Sequence, residues 1–480
     1  MERVSKIAIS SSLHGLSNLI RTESIIFKIV WFACLIVSGS VCCFLINRTV
    51  VEYFRYDVTT KIRLIQENEV DFPAVAICNS NPFVTTAAVD HLIQYIETYT
   101  NYSFKGSEDR LHTLSDYLTN DSSLRSQINY AFYGFEDETK KTFGLPIDQI
   151  IFNCHFKMAT CNLTNFKMLY HWNYGLCYVF NSENDYKLTS SGIDSSLSLE
   201  LFSGFQTKIP YFVSSIGFQI IIYNQTQGMK FNYYFQRISI KTNSETHIAI
   251  KRNFIDKLKM PYSECEFDED TFSPANSSKM IKKSIYKKKN CMLEIYRQFV
   301  YKECNCVIQK TDVEGFNHTC LTSAEIFCAS NLYNNDLLKN KLADKSSCPL
   351  ECDTQYFTYF TSFEYYPSHH YGYHLFNSNY DSNNITYNEF EASIAKVNIF
   401  YNRIGYQCIT EMQTMTSINL LASTGGMFGL FMGMSLLSFI ELFEMTIELI
   451  QIVLKAILCM RAKFLITLGS LNFKRQKTHF

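Results

Sequence analysis

Residues Leu420 to Ile440 read LLASTGGMFGLFMGMSLLSFI, and this stretch decides the fold. It carries no charged side chain and is long enough to cross a hydrocarbon core of roughly 30 Å as a helix. A second uncharged stretch, Ile29 to Ile46, reads IVWFACLIVSGSVCCFLI. We therefore predict a membrane protein with two transmembrane helices.

Two other interpretations of these stretches are less favoured. A signal peptide would account for the first stretch, but its apolar run is longer than a typical h-region and a long polar segment precedes it. A GPI-anchor signal would account for the second stretch, but a basic tail follows it. We therefore expect both stretches to be retained as membrane anchors.

The charges that flank the two stretches predict the orientation of the chain. The basic residues outside them are Arg3, Lys6, Arg21 and Lys28 before the first, and Lys455, Arg461, Lys463, Lys474, Arg475 and Lys477 after the second. The positive-inside bias then places both termini in the cytosol of a multi-pass plasma-membrane protein. The predicted organisation is a cytosolic segment 1–28, a first transmembrane helix 29–46, an extracellular domain 47–418, a second transmembrane helix 419–446 and a cytosolic tail 447–480.

Cysteines and glycosylation sequons agree with this topology. Of the 17 cysteines, Cys34, Cys42 and Cys43 lie in the first stretch and Cys459 in the tail, while the others lie in the predicted extracellular domain. Disulfides persist in that compartment, so we expect bridges rather than a zinc site at Cys304 and Cys306. Asn-x-Ser/Thr sequons occur at Asn101, Asn120, Asn162, Asn224, Asn276, Asn317 and Asn384.

The region between the anchors has mixed helical and strand patterns. Alternation predicts a strand at Gly217–Asn224 and a hairpin over Tyr233–Lys251 that turns near Thr242–Glu245. Helical spacing is clearest at Ala87–Tyr99, at Leu111–Phe132 and around Leu293–Tyr301. The prediction is a large, disulfide-rich α+β domain whose helices project from a sheet core. The net charge of -1 gives no electrostatic basis for binding nucleic acid.

Several segments, in order along the chain, resemble the degenerin/epithelial sodium channel family. They are Phe72–Asn79 (FPAVAICN), Gly175–Asn181 (GLCYVFN), Met260–Cys265 (MPYSEC) and Gly429–Glu441 (GLFMGMSLLSFIE). The resemblance implies a trimeric, sodium-preferring cation channel whose extracellular domain has palm, finger and thumb-type lobes. It implies either a homotrimer or a heterotrimer with related subunits, embedded in the lipid bilayer and without a cofactor or a metal site.

The family's cysteine spacing implies a set of disulfides. The implied pairs are Cys78–Cys177, Cys154–Cys161, Cys265–Cys352, Cys291–Cys348, Cys304–Cys328 and Cys306–Cys320. One further thumb bridge of the family would need cysteines where this chain has Ile295 and Ser346. Cys408 is then left over, and we expect it to be a free thiol rather than an inter-subunit contact.

The second apolar stretch carries the residues that the family uses for conduction. By resemblance, Gly433, Met434 and Ser435 form the selectivity filter, where the helix breaks and exposes carbonyl oxygens that replace part of a cation's water shell. The amiloride-sensitive position falls on Gly429. Glu441 and Glu444 become acidic rings at the inner mouth. Without the resemblance, ordinary helix packing would account for the same glycines and serines.

The resemblance also assigns gating residues. His14 and Gly15 match a gating dipeptide, and Asn419 matches a position where bulky substitutions hold relatives open. Tyr56 and Tyr262 match an aromatic contact between the first span and the thumb, although ordinary packing of two abundant residues would explain them as well.

The sequence says least about the stimulus that opens the channel. The pore sequence is closest to the peptide-gated branch, so we expect a neuropeptide agonist. An acid-gated or a constitutive channel of the same family is the alternative, since acidic runs occur at Glu264–Asp270 and Glu136–Glu138. A two-span, lipid-binding scavenger-type receptor is the alternative from another class. We do not expect an enzyme, because the sequence shows no nucleophile–base pairing or metal motif.

Overall fold

In the computed structural model the described residues divide into two compact units, one within 1–59 and 412–480 and the other within 60–411. The residues that it describes are 18–19, 21–100, 102–104, 109–132, 135–171, 173–205, 212–225, 236–266, 287–307, 318–332, 338–340, 347–379, 385–441, 443–444, 446–448, 450–451, 454–455 and 457–458.

The helices and strands follow one another in mixed order. The helices are α1 (Ile25–Tyr53), α2 (Thr86–Tyr99), α3 (Arg110–Asn120), α4 (Ser122–Ala131), α5 (Asp137–Phe143), α6 (Ile147–Ile150), α7 (Lys288–Cys304), α8 (Ser323–Leu332), α9 (His369–Asn379), α10 (Tyr387–Glu391), α11 (Ser417–Met432) and α12 (Leu436–Glu448). The strands are β1 (Val58–Gln66), β2 (Val70–Asp71), β3 (Ala74–Asn79), β4 (Ile151–Phe156), β5 (Ala159–Thr160), β6 (Phe166–His171), β7 (Gly175–Phe180), β8 (Lys187–Leu188), β9 (Leu197–Phe202), β10 (Gly217–Tyr223), β11 (Arg237–Lys241), β12 (Ser244–Asp256), β13 (Cys265–Glu266), β14 (Leu350–Glu351), β15 (Asp353–Tyr365) and β16 (Ile394–Gln413).

Helix α1 contains the first apolar stretch and extends beyond it at both ends. Within the described part of the chain, α1 is the one helix that is by itself long and apolar enough to cross a bilayer. Helices α11 and α12 satisfy the same criterion only if the pair, bent by 79°, counts as one span. The second span predicted over 419–446 is a broken helix, interrupted between Met432 and Leu436 at the tract where the family resemblance implies a break. That this pair crosses the membrane stays a prediction.

Two sheets form the centre of the second unit. Six strands of the seven-stranded sheet run in the order β15-β12-β16-β9-β4-β5, with β1 also paired to β16, and the five-stranded sheet has the order β11-β10-β3-β7-β6. Strands β3, β7 and β10 are buried along their whole length. Such continuous apolar runs are expected for strands covered on both faces. The α+β prediction is confirmed.

Helices α2, α3, α4 and α5 share a hydrophobic core to which α7 and α8 also contribute, through Val300, Ile326 and Ala329. The helix predicted at Ala87–Tyr99 is confirmed as α2, with the Thr85 hydroxyl accepting from the N–H of Ala88 at 3.1 Å. The helical segment predicted over Leu111–Phe132 is confirmed but forms two helices, since Asp121 ends α3 and its Oδ1 accepts from the N–H of Leu124 in α4 at 3.2 Å. Asp favours such a capping position over a helix interior.

The hairpin predicted over Tyr233–Lys251 is also wrong. The chain does turn at Asn243, which has φ +55°. However, β11 pairs with β10 in one sheet, whereas β12 pairs with β15 and β16 in the other. The turn residues are recognisable locally, but the pairing is set by strands distant in sequence.

Six disulfides hold the second unit, and they are the pairs that the family resemblance implies. Among the cysteines that the structure describes, Cys34, Cys42, Cys43 and Cys408 are free, while Cys459 lies outside the described residues. Ile295 lies in α7 in place of a bridge cysteine, and Ser346 lies outside the described residues. A bridge typically contributes about 2–4 kcal/mol, so the six together stabilise the second unit substantially.

Candidate functional site

The candidate site is the break between α11 and α12. Helix α11 ends at Gly433, which adopts φ +65° and ψ +21°. The N–H of Gly433 donates to the carbonyl of Gly429 at 3.1 Å, and the N–H of Met434 donates to that of Phe428 at 3.3 Å. Glycine adopts this left-handed conformation without the steric penalty that a Cβ causes. The sequence Gly433-Met434-Ser435 therefore ends the helix where the resemblance places a filter.

The second half-helix begins with a reciprocal cap. The N–H of Ser438 donates to Ser435 Oγ at 3.3 Å, and the N–H of Ser435 donates to Ser438 Oγ at 3.1 Å. This is the geometry of a capping box, with serine in the place of the usual Glu or Gln. Ser438 is buried, at 4% exposure, whereas Gly433 and Ser435 are exposed. The break is thus stabilised from both sides.

Aromatic and backbone contacts close the bend. The rings of Phe428 in α11 and Phe439 in α12 meet edge to face, with centroids 5.6 Å apart. A Cβ at Gly429 would lie 3.7 Å from the Met434 carbonyl oxygen, an ordinary contact distance. Gly429 therefore packs next to the backbone of the break.

The acidic residues follow on α12. Glu441, Glu444 and Glu448 are all exposed in the single chain. Their spacings of three and four residues put them on one face of the helix. This face can present carboxylates to water or to a neighbouring chain.

The gating residues occupy different parts of the chain. Asn419 is exposed in the first turn of α11, where its N–H donates to the hydroxyl of the capping residue Thr416 at 3.1 Å. Tyr56 lies in the first unit, with its ring 6.3 Å from that of Phe54, and Tyr262 lies in the second unit. His14 and Gly15 lie outside the described residues.

The predicted glycosylation sites are only partly described. Asn120 is exposed at the end of α3, and Asn162 caps a short turn by accepting from the N–H of Thr164 at 3.0 Å. The amide of Asn224 donates to Gln355. Asn101, Asn276, Asn317 and Asn384 lie outside the described residues.

The acidic runs do not form a described pocket. Residues 267–270 of the Glu264–Asp270 run lie outside the described residues. In the other run, Glu136 is exposed and Glu138 pairs with Lys141 at 2.5 Å on the surface of α5. A surface pair of this kind contributes little energy.

A family model described as "Amiloride-sensitive sodium channel" matches residues 7–445, which include α11, the break, most of α12 and all six disulfides. The chain belongs to this family. Membership of the degenerin/epithelial sodium channels is thereby established, and its relatives are ion channels rather than enzymes.

Curated relatives show how far the likeness extends. Human "Epithelial sodium channel subunit alpha" is 25% identical over 337 residues, covering 69% of this chain and 48% of the relative. Mouse "Bile acid-sensitive ion channel" is 25% identical over 460 residues, covering 91% of this chain and 86% of the relative. This chain thus spans about half the length of the alpha subunit that it matches.

Among the solved structures that match is a chain from the "Cryo-EM structure of a proton-activated chloride channel", with a TM-score of 0.34, 6% identity, and coverage of 88% of this chain and 99% of that one. A TM-score this low does not establish a shared fold.

Sequence reasoning found the break and the acidic face but missed what supports them. Ser38 of α1, which donates to the Phe431 carbonyl, carries no sequence signal for that role. The Ser435-x-x-Ser438 spacing could have been read as a cap, since a side chain three positions along can complete a capping box.

Proposed function

We propose that this chain forms a sodium-preferring cation channel in the plasma membrane, assembled as a trimer. The observation that carries the proposal is the glycine-ended helix break at Gly433, followed by a capped second half-helix. Irregular backbone at membrane depth is tolerated where it is buried in protein or lines a water-filled cavity. A plain anchor has no need of such a break.

Three copies of the break would give a ring of backbone and hydroxyl oxygens. Peptide oxygens near Gly433 and the Ser435 hydroxyl would replace part of the water shell of a permeating sodium ion. The preference for small cations follows from the number and spacing of these oxygens. The reciprocal cap of Ser435 and Ser438 supports this role because it fixes the backbone on the carboxyl side of the ring.

The membrane arrangement has two parts. Helix α1 and the bent pair α11–α12 would each cross the bilayer, with both termini in the cytosol as the flanking basic residues predict. The disulfide-bonded unit would then lie outside the cell, where its bridges are stable and its sequons are accessible. Glu441 and Glu444 would lie at the inner mouth and raise the local cation concentration.

The channel is proposed to open on binding an extracellular ligand, most simply a neuropeptide. The likeness of the pore sequence to the peptide-gated branch supports this choice. An acid-gated or constitutive channel is the second candidate. The name of the mouse relative records sensitivity to bile acid, which adds a small organic ligand to the stimuli worth comparing.

Voltage clamp of cells that express the full chain, alone and with related subunits, tests the proposal. We expect inward current in sodium that disappears when a large organic cation replaces sodium. Amidated peptides, an acid step and no stimulus should be compared on the same cells. Peptide currents without acid currents support the ligand assignment, and the reverse pattern overturns it. Absence of current in every subunit combination, with protein shown at the surface, contradicts the channel itself.

A further inference from the structure

A cavity of about 480 Å³ lies between helix α4 and the five-stranded sheet. Helix α4 contributes Arg125, Ser126 and Asn129, while Leu124 and Ile128 of the same helix are buried in the helical core. Cavities of this volume are in the usual range for small-molecule sites. None of the functional residues assigned above lines it.

The floor of the cavity is held rigid by hydrogen bonds. Gln219 of β10 donates from Nε2 to Ser80 Oγ at 3.3 Å and accepts from Ser239 Oγ at 3.1 Å. Ser80 and Gln219 are only 6% and 9% exposed. Because Ser80 accepts this bond through its oxygen, its own hydroxyl proton can be donated into the cavity.

The wall beside the floor is formed by Tyr174, which is braced on both sides. Arg237 Nη1 donates to the Tyr174 hydroxyl oxygen at 2.6 Å, and the guanidinium carbon lies 5.6 Å from the ring centroid. The His171 ring stacks on Tyr174 at 5.0 Å. Since the Tyr174 oxygen accepts a charge-assisted bond, its own proton can be donated to a ligand.

The charge at this cavity is positive. Burial, and then the nearby Arg237, lower the pKa of His171 to about 4, so this ring is neutral at physiological pH. The formal charges are those of Arg125 in the lining and of Arg237 behind Tyr174. Among the described residues that line the cavity there is no Asp or Glu.

We propose that this cavity binds a small organic carboxylate. The carboxylate would be held by the Arg125 guanidinium, whose planar fork suits two carboxylate oxygens, and by the hydroxyls of Ser80 and Tyr174. The side chain of Val213, which also lines the cavity and is half-buried, offers an apolar surface to the organic body. The positive charge of the lining favours an anion and disfavours a cationic ligand.

Binding of 3-phenylpropionate, compared with its neutral isostere 3-phenylpropionamide, tests the proposal without any measurement of current. The full chain is purified in lipid nanodiscs, and affinities are measured by ligand-observed NMR. We expect the carboxylate to bind at least about tenfold more tightly than the amide, because a charge-assisted hydrogen bond is lost with the amide.

The Arg125→Gln variant should weaken carboxylate binding by about tenfold or more and leave amide binding unchanged. Arg125→Lys should retain part of the affinity because the charge remains. The matched control is Arg110→Gln, an exposed arginine at the start of helix α3 that does not line the cavity. Intact disulfides on non-reducing gels show that each variant is folded.

Equal affinity for carboxylate and amide overturns the proposal. So does carboxylate binding that Arg125→Gln and Arg110→Gln reduce alike, since that would reflect net charge alone. Because binding is measured directly, a channel that conducts no current leaves this test valid, and failure here leaves the proposed conduction untouched.

Discussion

The hydroxyl of Ser38 donates a 2.5 Å hydrogen bond to the backbone carbonyl of Phe431. Phe431 is in the last turn of α11, where carbonyls have no partner within the helix. Helix α1 thus supplies a hydrogen-bond donor to a carbonyl in the last turn of α11, just before the break at Gly433. The positions of α1 and α11 are linked by this bond.

Ser38→Ala should therefore lower the stability of the first unit by about 1 kcal/mol, since an apolar side chain leaves the Phe431 carbonyl unpaired. The thermal midpoint of the solubilised full chain, followed by size-exclusion chromatography after heating, measures this. Ser40→Ala, an exposed position on the same helix, is the matched control. Indistinguishable midpoints for the two variants would rule out a stabilising role for the bond.

Gly433→Ala should reduce the ratio of sodium to potassium permeability. A Cβ at φ +65° is disfavoured by about 1–2 kcal/mol, so the break relaxes and the oxygen ring loses its spacing. Reversal potentials in mixed sodium and potassium solutions give the ratio. Gly425→Ala, where a Cβ meets nothing within 4 Å, should keep the wild-type ratio. An unchanged ratio in surface-expressed Gly433→Ala would argue against a filter at this tract.

Glu441→Gln should lower single-channel sodium conductance, and more so at low ionic strength, because screening by salt weakens the attraction of a carboxylate for cations. Single-channel recordings over a range of sodium concentrations test this. Glu448→Gln, further along α12, should have no such effect. If both variants conduct like the wild type, Glu441 is not at the conduction path.

Asn419→Trp should produce a standing current without any stimulus, since a bulky side chain in the first turn of α11 prevents close approach of neighbouring helices. The Asn419 cap contact uses only its N–H, so the helix start is preserved. Holding current blocked by amiloride or by sodium removal is the measurement. Asn419→Ala is the small-residue control. If the Asn419→Trp variant reaches the cell surface and carries no standing current, the assignment of Asn419 to gating is contradicted.

Glu325→Gln should destabilise the disulfide-bonded unit more at neutral pH than in acid. Burial alone would raise the pKa of Glu325, but hydrogen bonds from His318, Thr322 and Leu321 outweigh it and lower the pKa to about 2. A carboxyl with a depressed pKa stabilises the fold above its ordinary pKa, and this contribution is lost as the pH falls from about 5 towards 2. The expected difference at pH 7 is on the order of 2 kcal/mol.

Thermal melting at pH 7 and pH 3 compares Glu325→Gln with the wild type. The gap between their midpoints should shrink on acidification. Glu138→Gln is the control, because the Glu138 side chain is 82% exposed in its pair with Lys141. A gap that stays constant with pH would show that the effect of Glu325 is not electrostatic.

Local sequence accounts for the elements whose cause is local. The uncharged run at Ile29–Ile46 forms a helix, and the apolar spacing of Ala87–Tyr99 forms an amphipathic helix. Gly433 ends a helix. Each of these outcomes depends on residues that are neighbours in the chain. The six cysteine pairs are predicted by the family's cysteine spacing, because the sequence alone does not determine which cysteines pair.

Tertiary structure decided what depends on distant partners. Residues 237–251 carry strand signals on both sides of Asn243, but whether they pair with each other or with β10 and β15 depends on which strands offer free edges. The partner of the Phe431 carbonyl is likewise a serine 393 residues away, which no local pattern marks. Periodicity and turn chemistry act over a few residues, whereas burial and pairing are settled only when the whole chain has packed.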